Sequence, residues 1–205
     1  FVPEGFVLAE AKSTVSFKDA DTLWVATDFG DGSLTSSGYP RIAKEWRRGT
    51  PLAAATTVFE GRPDDVYAVA YSQHTPWGRY DWVLQVPEFF RSTTYLRLGE
   101  RLVRIDLPED AEIQDVFADR LLFSLRTPWQ VGGVTHAAGA LLAVGLDDFL
   151  RGGRTFDVLF EPSERVSLAD VSTTRERVLV TTLDNVRGRL YSLRPAEGGG
   201  WHREE

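Results

Sequence analysis

The chain has 205 residues, with no Cys, no Met, three His and a formal net charge of −7. That length fits one large domain or two small ones and buries a core without staples, while the missing thiols exclude disulfides, thiolate metal sites and a Cys nucleophile. The acidic balance argues against a nucleic-acid partner, and no apolar run reaches the roughly 18 residues that a membrane span needs.

The chain opens on Phe1-Val2-Pro3 without an initiator Met, which is expected of a piece cut from a longer polypeptide. No basic stretch followed by an apolar one stands there, so no signal peptide is read. The first clear strand covers residues 22–27, Thr-Leu-Trp-Val-Ala-Thr. A Gly- and Ser-rich loop follows over 28–40, then a basic stretch from Arg41 to Arg48. Alternation puts Arg41, Ala43, Glu45 and Arg47 on one face of it, so a solvated outer strand is expected. Further strands are read over 81–86, 120–125 and 177–182, each rich in Val, Leu, Thr or aromatics and bounded by turn residues. One short helix is expected at Leu146-Asp147-Asp148-Phe149-Leu150-Arg151, ending on Gly152-Gly153.

The strands recur as a series. Four times the chain shows a first strand, an apolar second strand, a loop, a third strand and a short fourth strand. The series cover about 13–61, 65–110, 112–162 and 166–205, close to the 40–50 residues of a propeller blade. Fourth strands are placed at Val58-Phe59-Glu60-Gly61, Ile105-Asp106-Leu107-Pro108, Leu159-Phe160-Glu161-Pro162 and Trp201-His202-Arg203-Glu204. The expected fold is all-β: about four four-stranded antiparallel blades forming a partial β-propeller domain over 1–205.

Function in such a fold concentrates in loops on a rigid scaffold. The second-to-third loops are read over 28–40, 87–92, 127–136 and 184–187. They carry Phe29, Tyr39, Phe89, Phe90, Trp129 and His136. Such aromatics either form a contact surface or fold back to cap their own blades. No catalytic constellation accompanies them. There is no G-x-S-x-G elbow, and His74, His136 and His202 lack metal-ligand spacing. His74 is read as a solvated turn residue, and the acidic pairs Asp19/Asp21, Asp64/Asp65 and Asp147/Asp148 as turn formers. No catalytic residue, metal or cofactor is assigned. Of the 23 basic residues only Lys12, Lys18 and Lys44 are lysines, a skew read as codon usage.

The stretch Glu10-Ala11-Lys12-Ser13-Thr14-Val15-Ser16-Phe17-Lys18-Asp19-Ala20-Asp21-Thr22-Leu23-Trp24-Val25 is followed by Thr27-Asp28-Phe29-Gly30, Ser37-Gly38-Tyr39-Pro40-Arg41 and Trp46-Arg47-Arg48-Gly49-Thr50-Pro51-Leu52. With the later Leu183-Asp184-Asn185-Val186-Arg187-Gly188-Arg189-Leu190-Tyr191, it resembles the propeller region of bacterial prolyl oligopeptidase family members. The resemblance implies a seven-bladed propeller fused to an α/β-hydrolase with a Ser-Asp-His triad that cleaves short peptides after proline. This chain holds about four blades and none of the triad motifs. It implies that the hydrolase faces the second-to-third loops and that Ser13, after Lys12, lies near the substrate cleft.

The first expectation is therefore a propeller segment that gates access of short peptides to a hydrolase domain of the same polypeptide, and is inactive alone. The alternative is a free-standing propeller that binds a protein or peptide. The expected partners are that hydrolase domain and short peptides, with no nucleic acid and no membrane. An open arc of blades exposes two apolar sheet faces, so self-association is expected. The expected compartment is the cytoplasm, with the periplasm left open because Cys content does not separate them.

Overall fold

A computed structural model describes residues 5–205; Phe1-Val2-Pro3 lies outside the described residues. Residues 5–74 and 78–109 form one compact unit, and residues 75–77 and 110–205 a second.

The first unit holds two four-stranded sheets. One contains β1 (Thr14–Asp19), β2 (Thr22–Ala26), β3 (Ile42–Arg47) and β4 (Thr56–Glu60). The other contains β5 (Tyr67–Thr75), β6 (Gly78–Glu88), β7 (Arg91–Leu98) and β8 (Arg101–Arg104). In each, spatial order equals chain order. β1 with β2, β2 with β3, β3 with β4, β6 with β7 and β7 with β8 all pair antiparallel. Trp24 and Ala43 of the first sheet pack against Ala70 and Val83 of the second, with Phe59 and Tyr95 alongside.

β3 is not the solvated strand that its charges imply. Ala43 and Trp46 lie on opposite faces and both are buried. Ala43 joins the core between the two sheets, and Trp46 joins Leu23 and Val25 on the other face. Phe6 and Leu8 cover that second face, with the Phe6 ring edge-on to Trp46 at 4.9 Å. A strand covered on both sides keeps its charges only where partners meet them. Glu45 meets Lys18 at 2.7 Å and is also bonded by Arg97, while both cations lie over the Trp24 ring. Below that ring, the Trp24 indole N–H donates to Ser72 Oγ at 2.7 Å, and Ser72 donates to Asp81 at 2.6 Å. A polar seam thus satisfies the groups that sheet-on-sheet packing buries.

The second unit repeats the scheme. β9 (Glu112–Phe117), β10 (Arg120–Ser124), β13 (Leu141–Gly145) and β14 (Asp157–Phe160) form one sheet. β15 (Val166–Thr173), β16 (Val178–Asp184), β17 (Arg187–Pro195) and β18 (Trp201–Glu204) form the other. Between β10 and β13 a separate hairpin is inserted, β11 (Trp129–Val131) with β12 (Val134–His136). The short helix α1 (Leu146–Leu150) follows β13, where the sequence places it. Leu122, Leu141, Ala143 and Phe160 pack on Val178, Val180, Tyr191 and Leu193. Fully burying side chains of this size contributes about 1.5–3 kcal/mol each.

The all-β, four-sheet expectation is met. Several local placements differ, among them the loop read over 127–136, which holds the β11–β12 hairpin. The fourth strand of the second sheet is β8, ahead of the expected 105–108 segment. The loop expected over 87–92 shrinks to the two residues between β6 and β7, because β6 runs through Pro87 to Glu88. A register shift between Gln85 and Glu88 accommodates the proline, which lacks an N–H for the ladder.

Candidate functional site

The loop from Thr27 to Arg41 is built from its own polar groups. Asp28 Oδ1 accepts the Gly30 N–H at 2.8 Å and the Ser33 hydroxyl at 3.1 Å, and Ser33 Oγ accepts the Phe29 N–H at 2.8 Å. Asx turns of this kind fix a loop without packing. Gly30, Gly32 and Gly38 take positive φ, which glycine adopts without steric cost. The loop is then tied to the link between β4 and β5 and to the start of β5. The Ser36 N–H donates to Pro63 O at 2.7 Å, and the Ala68 N–H donates to Pro40 O at 3.0 Å. Second-to-third loop and inter-sheet link therefore share one end of the first unit.

Five residues singled out by sequence lie at this end. Ser13 is exposed just ahead of β1, with its hydroxyl 2.6 Å from that of Thr27. Phe29 is half-buried with the Lys44 ammonium 4.2 Å from its ring centre. Tyr39 is exposed, with the Lys12 ammonium 4.0 Å from its ring centre. Phe89 and Phe90 form the turn between β6 and β7 and are 77% and 75% exposed. Phe90 has φ +70°, a left-handed conformation that is an outlier for a bulky side chain. Sequence reasoning missed Lys12 and Lys44 as partners of these rings.

Trp129 and His136 in the second unit behave differently. They are cross-strand partners in the inserted hairpin. Both rings turn onto Phe156, at 5.2 and 5.5 Å, and Trp129 also meets Phe123 at 6.1 Å. His136 is only 8% exposed. These two aromatics cap their own sheet instead of standing in solvent. At the corresponding end of that unit the exposed apolar residues are Val134, at the hairpin tip, and Val186, which is 92% exposed with φ +64°. A β-branched residue in that backbone region is unexpected from sequence.

His74 is a residue of β5 rather than of a turn, and its Nε2 lies 3.2 Å from Phe17 O. Asp19 and Asp65 act as turn formers, accepting the backbone N–H groups of Asp21 at 3.0 Å and Arg62 at 2.7 Å.

No family profile matches the chain. It is 30% identical over 208 residues to an uncharacterized peptidase of Sinorhizobium fredii, covering 97% of this chain and 29% of that protein. It is 26% identical over 211 residues to an uncharacterized peptidase of Rickettsia prowazekii, covering 94% of this chain and again 29% of the relative. The chain thus spans about 29% of the length of these curated relatives. Among solved structures, a post-proline cleaving enzyme from Rickettsia typhi superposes with a TM-score of 0.85 at 24% identity, over 93% of this chain and 29% of that one. Oligopeptidase B from Leishmania major superposes with a TM-score of 0.61 at 12% identity, over 93% of this chain and 26% of that one. At such identities the superpositions speak to fold. Among the described residues, no helix is long and apolar enough to cross a membrane.

Proposed function

We propose that this chain is the propeller region of a prolyl oligopeptidase family member and that it screens access of short peptides to a hydrolase domain carried by the same polypeptide. The observation that carries this reading is the similarity to peptidases along 97% of a chain that lacks a nucleophile elbow. The chemistry then belongs to the part of those relatives that this chain does not span. The exposed Phe89 and Phe90 of the second sheet, with Tyr39 and Ser13 of the first, give the second-to-third end of the first unit a mixed apolar and polar surface suited to extended peptide.

The chain alone is expected to show no turnover of a short proline-containing peptide. Joined to the hydrolase domain, it is expected to pass that peptide and refuse the same motif inside a folded protein. Turnover by the chain alone, or equal cleavage of both substrates by the joined protein, would overturn this reading.

Outward faces of the chain also favour self-association. Val15 and Phe17 are exposed on β1, and Leu190 is exposed on β17. Sedimentation is expected to show the average mass rising with concentration; a constant monomer mass would count against it.

A further inference from the structure

At the same end of the first unit lies a small polar cleft of about 190 Å³. Arg62, from the link between β4 and β5, forms one wall. Gln85, Arg91 and Thr93, from the facing ends of β6 and β7, form the others, with Glu88 and Glu109 at hand.

The two guanidinium groups of this cleft are not spent on hydrogen bonds inside the protein. Arg91 is 58% exposed, and its acidic neighbours stand off at 3.8 Å (Glu88) and 3.9 Å (Glu109). Those distances exceed hydrogen-bond reach, so its fork of N–H groups is open. Glu109 is shared with Arg104, also at 3.9 Å. Arg62 hydrogen-bonds through its backbone alone among the described residues, its N–H donating to the Asp65 carboxylate and its carbonyl accepting the Asp65 N–H. Two guanidinium groups and two carboxylates thus line the cleft, and neither guanidinium makes a side-chain hydrogen bond among the described residues.

The walls are held in place. Asp65 is buried and accepts both the Arg62 N–H and, at 2.8 Å, the Gln85 side-chain amide. A cleft fixed in advance loses little freedom on binding. Beside it stands the Phe89-Phe90 turn, with two exposed rings and one residue in a left-handed backbone. Turn chemistry favours Gly or Asn there. Departures from local preference concentrate where a protein meets a ligand.

The geometry points to a site for the C-terminal carboxylate of a short peptide, with Arg91 and Arg62 as donors and the Phe89-Phe90 turn against the peptide's last apolar side chain. A planar carboxylate matches the guanidinium fork. A phosphate dianion meets the nearby Glu88 and Glu109 carboxylates with twice the charge, and gains nothing from the rings. This site deepens the peptide-screening reading and rests on it.

The test titrates the chain with a fluorescent proline-containing peptide ending in leucine, as free acid and as C-terminal amide, with inorganic phosphate as competitor. The free acid is expected to bind about tenfold tighter than the amide. Arg62→Gln with Arg91→Gln is expected to bring the acid down to the level of the amide, with the unfolding midpoint unchanged. Phe89→Ala is expected to weaken both peptides alike. Equal binding of acid and amide would overturn the carboxylate site while leaving peptide screening intact. Displacement of the acid by equimolar phosphate would overturn it in favour of a general anion site. Failure of both peptides to bind would also overturn it, and the cleavage comparison above then decides the screening reading separately.

Discussion

Phe123→Ala is expected to lower the unfolding free energy by about 3–5 kcal/mol, the range for emptying a buried aromatic site. Phe123 lies in β10, fully buried, opposite Leu142 on β13 and Ile113 on β9. Its ring meets Phe156 edge-on at 5.7 Å and Trp129 at 6.1 Å. The substitution therefore opens a cavity in the sheet and also removes the platform under the inserted hairpin. Interior packing is too tight for neighbours to fill such a void. Urea unfolding of the chain measures the loss. A change below about 1 kcal/mol would mean that Trp129 and Phe156 close over the gap.

Glu45→Gln is expected to cost about 2 kcal/mol at neutral pH and to flatten the acid side of the stability profile. Burial works against the Glu45 carboxylate, but hydrogen bonds from Lys18 and Arg97 and their positive charges outweigh it and hold its pKa below 4.5. A carboxyl with a lowered folded-state pKa binds protons more tightly when unfolded. Its stabilisation is complete above about 4.5 and is lost as pH falls through the lower folded-state value. The amide keeps the shape but leaves the two cations over the Trp24 ring facing a neutral group. Unfolding midpoints measured from pH 7 down to pH 3 separate the outcomes. A variant whose midpoint falls with acid as steeply as the parent's would remove Glu45 from this role.

Much of the architecture was legible because strand patterning is local. The runs around Trp24, Trp82, Leu122 and Val180 alternate or stay apolar over five to seven residues, and turn residues close them. The helix before Gly152-Gly153 was legible for the same reason. Pro87 misled because a proline usually ends a strand, and only the register shift beside it allows β6 to continue. The basic β3 misled because its two burial partners, the second sheet and the segment around Phe6, come from distant parts of the chain. The candidate site was legible in outline only. Sequence placed Phe29 and Tyr39 in a loop and Phe89 and Phe90 in a turn, but it missed that Trp129 and His136 stand on paired hairpin strands and that Phe156 covers them, a position that no local pattern announces. The polar cleft escaped because Arg62 and Arg91 meet only once β6 and β7 are paired beside the preceding link.

All three lysines, Lys12, Lys18 and Lys44, rest over aromatic rings within the first quarter of the chain. Amine-directed dyes and crosslinkers will therefore mark this region, leaving the arginine-rich remainder untouched. Modification also discharges each ammonium and removes its attraction to the ring beneath, worth about 0.5–1 kcal/mol at an exposed position. The order in which Lys12, Lys44 and the more enclosed Lys18 react thus becomes a built-in gauge of how firmly the first sheet holds together.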